Sequence, residues 1–318
     1  MTFLKNWILP ISMLTGILSY FIYTGIPALD GTHAFMNHFI GIFQPLLLFC
    51  MLFVSFCKVA PGELRPRRWM LKLLGIQVGS FSFMGLLIAL LPNLPGRVVI
   101  ESAMICMICP TATAAAVVTT KLRGNPSAVV SYTCLINLTA SIAIPSVVSF
   151  IHESANDLGF ITSFTLIIGR VFPLLILPLL SAWFVRYMMP RFHRRILRYP
   201  DLAFNLWAVA LALAIGITVK AIVHSDESLL SLVLIALASL LTCIIQFYLG
   251  HSIGRKHHET IAGTQALGQK NTIFAIWMGY TFLNPVTAMA GGFYSVWHNV
   301  INSWQLWRER KGRMHKNA

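Results

Sequence analysis

Ten apolar runs, each close to the length of a membrane-spanning helix, occupy almost the whole of this 318-residue chain. They lie at roughly 6–27, 36–57, 70–92, 98–121, 127–151, 158–187, 202–222, 228–250, 261–282 and 285–307. Hydrophobic residues make up 57% of the chain and charged residues 11%, whereas soluble domains are roughly half apolar and about a quarter charged. Since a spanning helix needs ~20 residues, the runs predict an all-α polytopic membrane protein with ten transmembrane helices and short loops.

The basic residues predict an orientation in the membrane. Twenty of the 24 Lys and Arg residues fall on one side if the chain begins in the cytoplasm, and the opposite loops contain acidic residues and few cations. Cytoplasmic loops are enriched in Lys and Arg, so we expect a multi-pass protein of the plasma membrane, the inner membrane in a bacterium, with both termini cytoplasmic. This bias accounts for the net charge of +14 without nucleic acid as a partner. The expected partners of the basic loops are membrane lipids.

The fourth and the ninth runs are each interrupted. In the fourth run, Pro110 removes a backbone hydrogen bond from a helix and is followed by Thr111 and Thr113. In the ninth run, residues 268–272 read Gly-Gln-Lys-Asn-Thr and place four consecutive polar side chains between apolar flanks. Irregular backbone at membrane depth persists only where it is buried in protein or lines a wet cavity. We therefore expect a functional site at these interruptions.

The two interruptions fall at corresponding places in two halves of similar length, 1–157 and 158–318. Five spans in each half is an odd number, so the second half would be inverted relative to the first. Broken helices at matching places of inverted halves point to a binding site near the membrane midplane. The helix N-termini at such breaks favour an anionic group, for example a carboxylate.

At these residues the chain resembles the bile acid:sodium symporter family. The resemblance covers most of the chain, and its strongest segments are 109–125, 268–272 and 283–299, the last ending in Ser-Val-Trp-His-Asn. The resemblance implies two inverted five-helix repeats, a core domain in which spans four and nine break and cross, and a panel domain beside it. It also implies transport of organic anions, such as bile acids or small carboxylates, usually together with sodium.

The resemblance makes seven residues candidates for binding the solute. They are Thr111, Thr113, Lys270, Asn271, Thr272, His298 and Asn299. Thr113 and Asn271 would begin the second halves of the broken helices, and the histidine and asparagine at 298 and 299 would line the same cavity. A lone histidine in a span often only bonds a neighbouring helix, so both roles stay open for His298, and simple interhelical bonding is also open for Thr111 and Thr272.

The chain departs from the family at the positions where sodium is expected to bind. These positions read Gln77, Ala115, Ala116, Thr133 and Ala266, and Lys270 replaces a glutamine. Two oxygens do not make a cation cage, and an ammonium ~4 Å from sodium would cost about 4 kcal/mol even at a dielectric constant near 20. We expect no metal and no cofactor; the Lys270 amine would replace sodium, bond the carbonyls of the crossing and pair with the substrate. Sodium is disfavoured as a partner, and a proton carried by this lysine is a candidate coupling ion.

The sequence thus predicts a secondary transporter of an organic anion that works by alternating access. A sodium-coupled symporter of the same substrate class and a membrane sensor that binds without transport are the alternatives. An enzyme is disfavoured, because the spans hold almost no acidic residues and no cluster suited to a metal or a nucleophile. Arg170, inside the sixth run, either bonds backbone carbonyls that Pro173 frees or takes part in function.

Overall fold

The computed structural model describes residues 2–91, 93–151, 159–199, 201–225 and 227–317. Within these ranges the protein is all-α, as predicted. The α-helices are α1 (Thr2–Thr24), α2 (His33–Phe56), α3 (Arg68–Leu90), α4 (Arg97–Ile108), α5 (Ala115–Lys121), α6 (Pro126–Ile151), α7 (Phe160–Met188), α8 (Pro190–Leu197), α9 (Leu202–Val223), α10 (Leu229–Arg255), α11 (Thr260–Gly268), α12 (Thr272–Phe282) and α13 (Met289–Asn317). Two short 3-10 segments, Pro27–Thr32 and Pro61–Glu63, precede α2 and α3. The predicted boundary between the halves, at 157 and 158, lies outside the described residues.

Six helices in the described part of the chain are long and apolar enough to cross a membrane. They are α2 with its preceding 3-10 segment, α3, α6, α7, α9 and α10. Large apolar side chains also remain on the outer faces, where Ile161 and Leu229 are each 78% exposed. Such surfaces suit a lipid environment. The chain is therefore a multi-pass membrane protein with six candidate spans.

Of the four remaining predicted spans, the first and the tenth are the continuous helices α1 and α13, which are not among the six candidate spans, and the other two are divided. The fourth run is divided between α4 and α5, and the ninth between α11 and α12. At 1.5 Å per residue, α4 with its 12 residues is about 18 Å long, well short of the ~30 Å of a bilayer core. The first run contributes a shorter apolar stretch, Pro10–Thr24.

The helices pack in two groups. In the first group, α2 packs against α7 and α9, and α9 packs against α1. In the second group, α3 packs against α4 and α6, while α10 packs against α4, α11 and α13. The two groups meet where α12 contacts α2 and α9, where α13 contacts α9, and where α6 contacts α7.

Glycines bring α10 and α11 into close backbone contact. A Cβ atom added to Gly263 would lie 2.6 Å from the Gly250 carbonyl oxygen and 2.9 Å from the Gly254 Cα atom. Small residues at such positions let two helix backbones approach closely in a membrane. This contact fixes the position of α11, whose C-terminal end forms part of the candidate site.

A polar contact fixes the other end of α11. Glu259, which precedes the helix, forms an ion pair with Arg67 from the loop before α3. The same carboxylate oxygen accepts a hydrogen bond from the Asn125 side chain at 3.1 Å. The start of α11 is therefore bonded to the segments that begin α3 and α6.

Candidate functional site

Four helix ends meet at one place in the second group. Residues 109–114 separate α4 from α5, and residues 269–271 separate α11 from α12. The two segments lie side by side and form an antiparallel β-bridge between Thr111 and Lys270. We call these two segments the crossing.

Two backbone hydrogen bonds hold the crossing together. The Ala112 N–H donates to the Gln269 carbonyl at 2.9 Å, and the Asn271 N–H donates to the Pro110 carbonyl at 2.8 Å. Each segment donates one of these bonds and accepts the other, so the pair has the symmetry of a local two-fold axis. Pro110 ends the regular pattern of its run because it lacks an N–H, and its carbonyl is satisfied by the other segment.

A glutamine and a tyrosine satisfy the end of α4. Gln77 on α3 is fully buried, and its Nε2 donates to the carbonyls of Ile108 at 3.1 Å and Cys109 at 2.9 Å. Tyr132 on α6 donates its hydroxyl hydrogen to the Gln77 Oε1 at 2.7 Å. The last carbonyls of a helix have no N–H partner within the helix. The side-chain amide of Gln77 donates to two of these carbonyls in place of the backbone N–H groups that a continuous helix would provide.

The other half of the chain supplies a matching pair. Gln246 on α10 donates from Nε2 to the Cys106 carbonyl and to the Tyr294 hydroxyl, each at 3.1 Å. Tyr294 on α13 in turn donates to the Gly268 carbonyl at the end of α11, at 2.8 Å. The sequence reasoning missed Gln246 and both tyrosines. A single glutamine inside an otherwise apolar run was the available signal.

The side chain of Lys270 is fully enclosed at the crossing. It is 1% exposed, and Nζ has no hydrogen-bond partner among the residues that the structure describes. The expected bonds from this amine to the carbonyls of the crossing are therefore not formed. The carbonyls of Cys109, Pro110 and Gln269 already accept hydrogen bonds from Gln77 or from the backbone of the opposite segment.

The acidic residue of α4, Glu101, has no free carboxylate. Glu101 accepts a hydrogen bond from Arg97 at 2.7 Å and one from the Thr287 hydroxyl at 3.1 Å. Its charge is compensated by an arginine on the same helix turn. The amine of Lys270 thus lies in the protein interior without an acidic partner among the described residues.

Two of the predicted binding residues, Thr111 and Asn271, belong to the crossing itself. Thr111 is fully buried and donates its hydroxyl hydrogen to the Ala266 carbonyl at 2.6 Å. Asn271 caps α12, because its Oδ1 accepts from the Phe274 N–H at 3.3 Å, while its Nδ2 is buried without a partner among the described residues. Thr113 is only half-buried and lies in the segment before α5.

The remaining candidates lie on α12 and α13. Thr272 is the first residue of α12 and is buried. His298 is buried, its ring packs edge-on against Tyr294 at 5.7 Å between centroids, and its Nδ1 has no partner in the described part of the chain. Asn299 is half-buried and donates from Nδ2 to the Ser295 carbonyl at 2.6 Å. The structure therefore brings His298 near the crossing through the tyrosine.

The oxygens at the positions expected to bind sodium are engaged in other bonds. The Gln77 Oε1 accepts from a tyrosine, and the Thr133 hydroxyl donates to the Val129 carbonyl at 2.9 Å. The other positions are alanines; Ala115 and Ala266 are fully buried and Ala116 is half-buried. The described residues contain no group of three or more His, Cys, Asp or Glu side chains that could hold a metal ion.

A cavity of about 580 Å³ lies where the two groups of helices meet, between α2, α7, α9 and α12. Its lining includes Arg170, Lys220 and Trp277. Trp277, on α12, follows Lys270 by seven residues in the sequence. The described lining of the cavity includes no residue of the crossing, and the Trp277 ring packs on Phe274 at 5.7 Å between centroids. Of the cavity residues, sequence reasoning considered only the two cations.

No protein-family model matches the chain, and no curated protein matches it either. The resemblance to the bile acid:sodium symporters stays a hypothesis that depends on the residues quoted above.

Proposed function

We propose that the protein is a secondary transporter that moves an organic anion by alternating access without sodium. The observation that carries this proposal is the enclosed amine of Lys270 at the meeting point of four helix ends. An unpaired charge in a protein interior is costly. A carboxylate from a solute would compensate this charge while it is bound.

The proposed architecture has ten spans in two inverted repeats. In it, α4 with α5 and α11 with α12 are two interrupted spans, and α1 and α13 are the first and last. The packing supports this, because contacts of α3 with α4 and α6 correspond to contacts of α10 with α11 and α13. The two glutamine–tyrosine pairs, one from each half, are a second correspondence. The second group of helices would be the core domain and the first group the panel domain.

The proposed transport step is a movement of one group of helices against the other. Lys270 is closed off from solvent in this structure, so a solute reaches the amine only after the groups separate. The N-terminus of α12, which begins two residues later, adds partial positive charge near the amine. In this proposal the solute approaches through the cavity between the groups.

The proposed orientation places both chain termini in the cytoplasm and the protein in the plasma membrane. Its support is the concentration of Lys and Arg residues in the loops at one end of the helices. In this orientation the cavity opens toward the outside, because it lies near the start of α2 and the end of α9.

The proposal is tested by measuring uptake into proteoliposomes of two labelled anions, a bile acid and a short-chain carboxylate. Sodium, potassium and pH gradients are imposed separately, and liposomes without protein are the control. We expect uptake of an organic anion that does not require sodium. A steep sodium requirement would favour the sodium-coupled symporter. Saturable binding without flux under any gradient would show a sensor and overturn the transport proposal.

A further inference from the structure

One face of α13 is polar along its course through the protein. Ser295, His298, Asn302 and Gln305 follow one another at spacings of three and four residues, which places them on one side of the helix. The first three are each 5% exposed or less, and Gln305 is half-buried. At 1.5 Å per residue this row is about 15 Å long. Polar side chains inside a membrane protein are costly and usually functional.

Two hydrogen bonds show that this face is turned toward α11. Near one end of the row, Tyr294 donates to the Gly268 carbonyl at 2.8 Å. At the other end, the Gln265 Nε2 donates to the Gln305 Oε1 at 2.6 Å. In both contacts a long side chain bridges the two helices, whereas α10 and α11 approach each other through glycines. We call the space between the row on α13 and the side chains of Gln265 and Gln269 the seam.

Six polar atoms of the seam are buried without a hydrogen-bond partner among the described residues. They are the Oε1 atoms of Gln265 and Gln269, the Ser295 Oγ, the His298 Nδ1, and both the Nδ2 and the Oδ1 of Asn302. The described part of the chain contains 15 such side-chain atoms, so they are concentrated on these two facing surfaces. Buried polar atoms in native proteins are nearly always bonded, either to protein or to ordered water.

The chemistry of these atoms suits water better than an ion or an apolar molecule. The amide oxygens accept hydrogen bonds, the Asn302 Nδ2 donates, and a serine hydroxyl or a neutral imidazole can do either. A bound ion needs a charged partner, and an apolar molecule needs apolar walls. A buried water typically makes about three hydrogen bonds to polar groups that lack other partners.

The row continues to the surface at one end and meets the crossing at the other. One helical turn beyond Gln305, the same face of α13 carries Glu309, whose partly exposed carboxylate pairs with Arg123 at 3.5 Å. At the opposite end, Gln269 belongs to the crossing and directly precedes Lys270. The seam therefore joins a charged, solvent-accessible end of α13 to the buried crossing.

We propose that the seam holds a row of bound waters that leads from the surface near Glu309 to the crossing. These waters bond the six buried atoms, and the bond between Gln265 and Gln305 lies across the row near the surface. The row needs no separation of the two groups of helices, because α11 and α13 belong to the same group. Protons pass readily along bound waters. Carrying a coupling proton to the crossing depends on the proposed function, whereas the presence of the waters does not.

The test is X-ray hydroxyl-radical footprinting of the purified full-length protein. The radicals form from water and modify side chains beside them, so a buried side chain is modified only next to bound water. We expect His298 to be modified much faster than Phe81 on α3, which is 0% exposed. Asn302→Leu puts an apolar side chain of similar size into the row and should remove most of the modification of His298. Ser303→Leu, at an exposed position of the same helix, should leave it unchanged.

Thermal unfolding of the Asn302→Leu variant is a second readout. If waters bond Asn302, the substitution removes their hydrogen bonds and lowers the unfolding temperature. In a dry seam it would remove two unbonded buried polar atoms and raise that temperature.

Modification of His298 in the wild type at no more than the rate of Phe81 would overturn the proposal, as would a higher unfolding temperature of Asn302→Leu. Modification of His298 in a protein that shows no anion flux in proteoliposomes would support the row of waters and reject the transport proposal. Flux without modification of His298 would reject the row of waters alone.

Discussion

Thr111 and Lys270 lie opposite each other in an antiparallel bridge, at equivalent positions of two segments that each separate a pair of helices. Their side chains differ in hydrogen bonding. The hydroxyl of Thr111 donates to the carbonyl of Ala266 at 2.6 Å, whereas the amine of Lys270 has no partner in the described part of the protein. The side chain of Thr111 is thus bonded, whereas the side chain of Lys270 is buried without a hydrogen-bond partner among the described residues.

Replacing Lys270 by glutamine should weaken anion uptake without making it depend on sodium. The substitution removes the charge that pairs with a carboxylate, and the loss should be roughly tenfold or more in apparent affinity. Ala115, Ala116 and Ala266 still lack oxygen ligands in this variant. Uptake kinetics with and without a sodium gradient measure both effects, with Lys256→Gln, an exposed lysine, as the control. Sodium-stimulated uptake by the Lys270 variant would refute the argument.

Replacing Lys270 by methionine should make the protein more stable and less active. Methionine has a similar length and no buried charge to compensate, so stability should rise by on the order of 1 kcal/mol or more. Thermal unfolding in detergent, followed by the temperature at which the monodisperse fraction is lost, measures this change. A lower unfolding temperature would mean that the amine has a stabilising partner.

Removing the Thr111 hydroxyl should destabilise the crossing. In Thr111→Val the carbonyl of Ala266 loses its donor in a fully buried place, which should cost about 1–3 kcal/mol. Thr111→Ser keeps the hydroxyl and should lose much less. The same thermal unfolding assay compares the two variants, and equal losses would show that the methyl group, and not the hydrogen bond, is what matters.

Tyr294→Phe should loosen the end of α11. The substitution removes the donor to the Gly268 carbonyl, which is formed at 2.8 Å between buried groups. We expect a loss of stability of about 1–3 kcal/mol, together with reduced anion uptake because Lys270 follows this helix end by two residues. Tyr248→Phe is the matched control, since Tyr248 is 68% exposed on α10. If both variants unfold at the same temperature, the hydrogen bond contributes nothing measurable.

The features that the sequence predicted correctly are those with a local signal. The apolar runs predicted helices, and the helix ends near Pro110 and at residues 268–272 followed from a missing N–H and from a polar segment. The contacts of Gln246 depend on α10 packing beside the end of α4. No local sequence pattern specifies which helix packs there. The expected bonds of Lys270 were wrong for the same reason, because other side chains already satisfy the carbonyls. The cavity is formed by four helices that are far apart in sequence.

Gly263→Ala should destabilise the protein through the contact between α10 and α11. The added Cβ atom would lie 2.6 Å from the Gly250 carbonyl oxygen, and backbone atoms cannot move aside as a flexible side chain can. The helices would have to separate, which should cost about 1–3 kcal/mol and shift the end of α11 at the crossing. Gly75→Ala on α3 is the control, because no atom lies within 4 Å of its added Cβ. That control should be neutral or slightly stabilising, since alanine has the higher helix propensity. If the two variants unfold at the same temperature, α10 and α11 are not held by close packing, and the position of Lys270 must be fixed by the crossing alone.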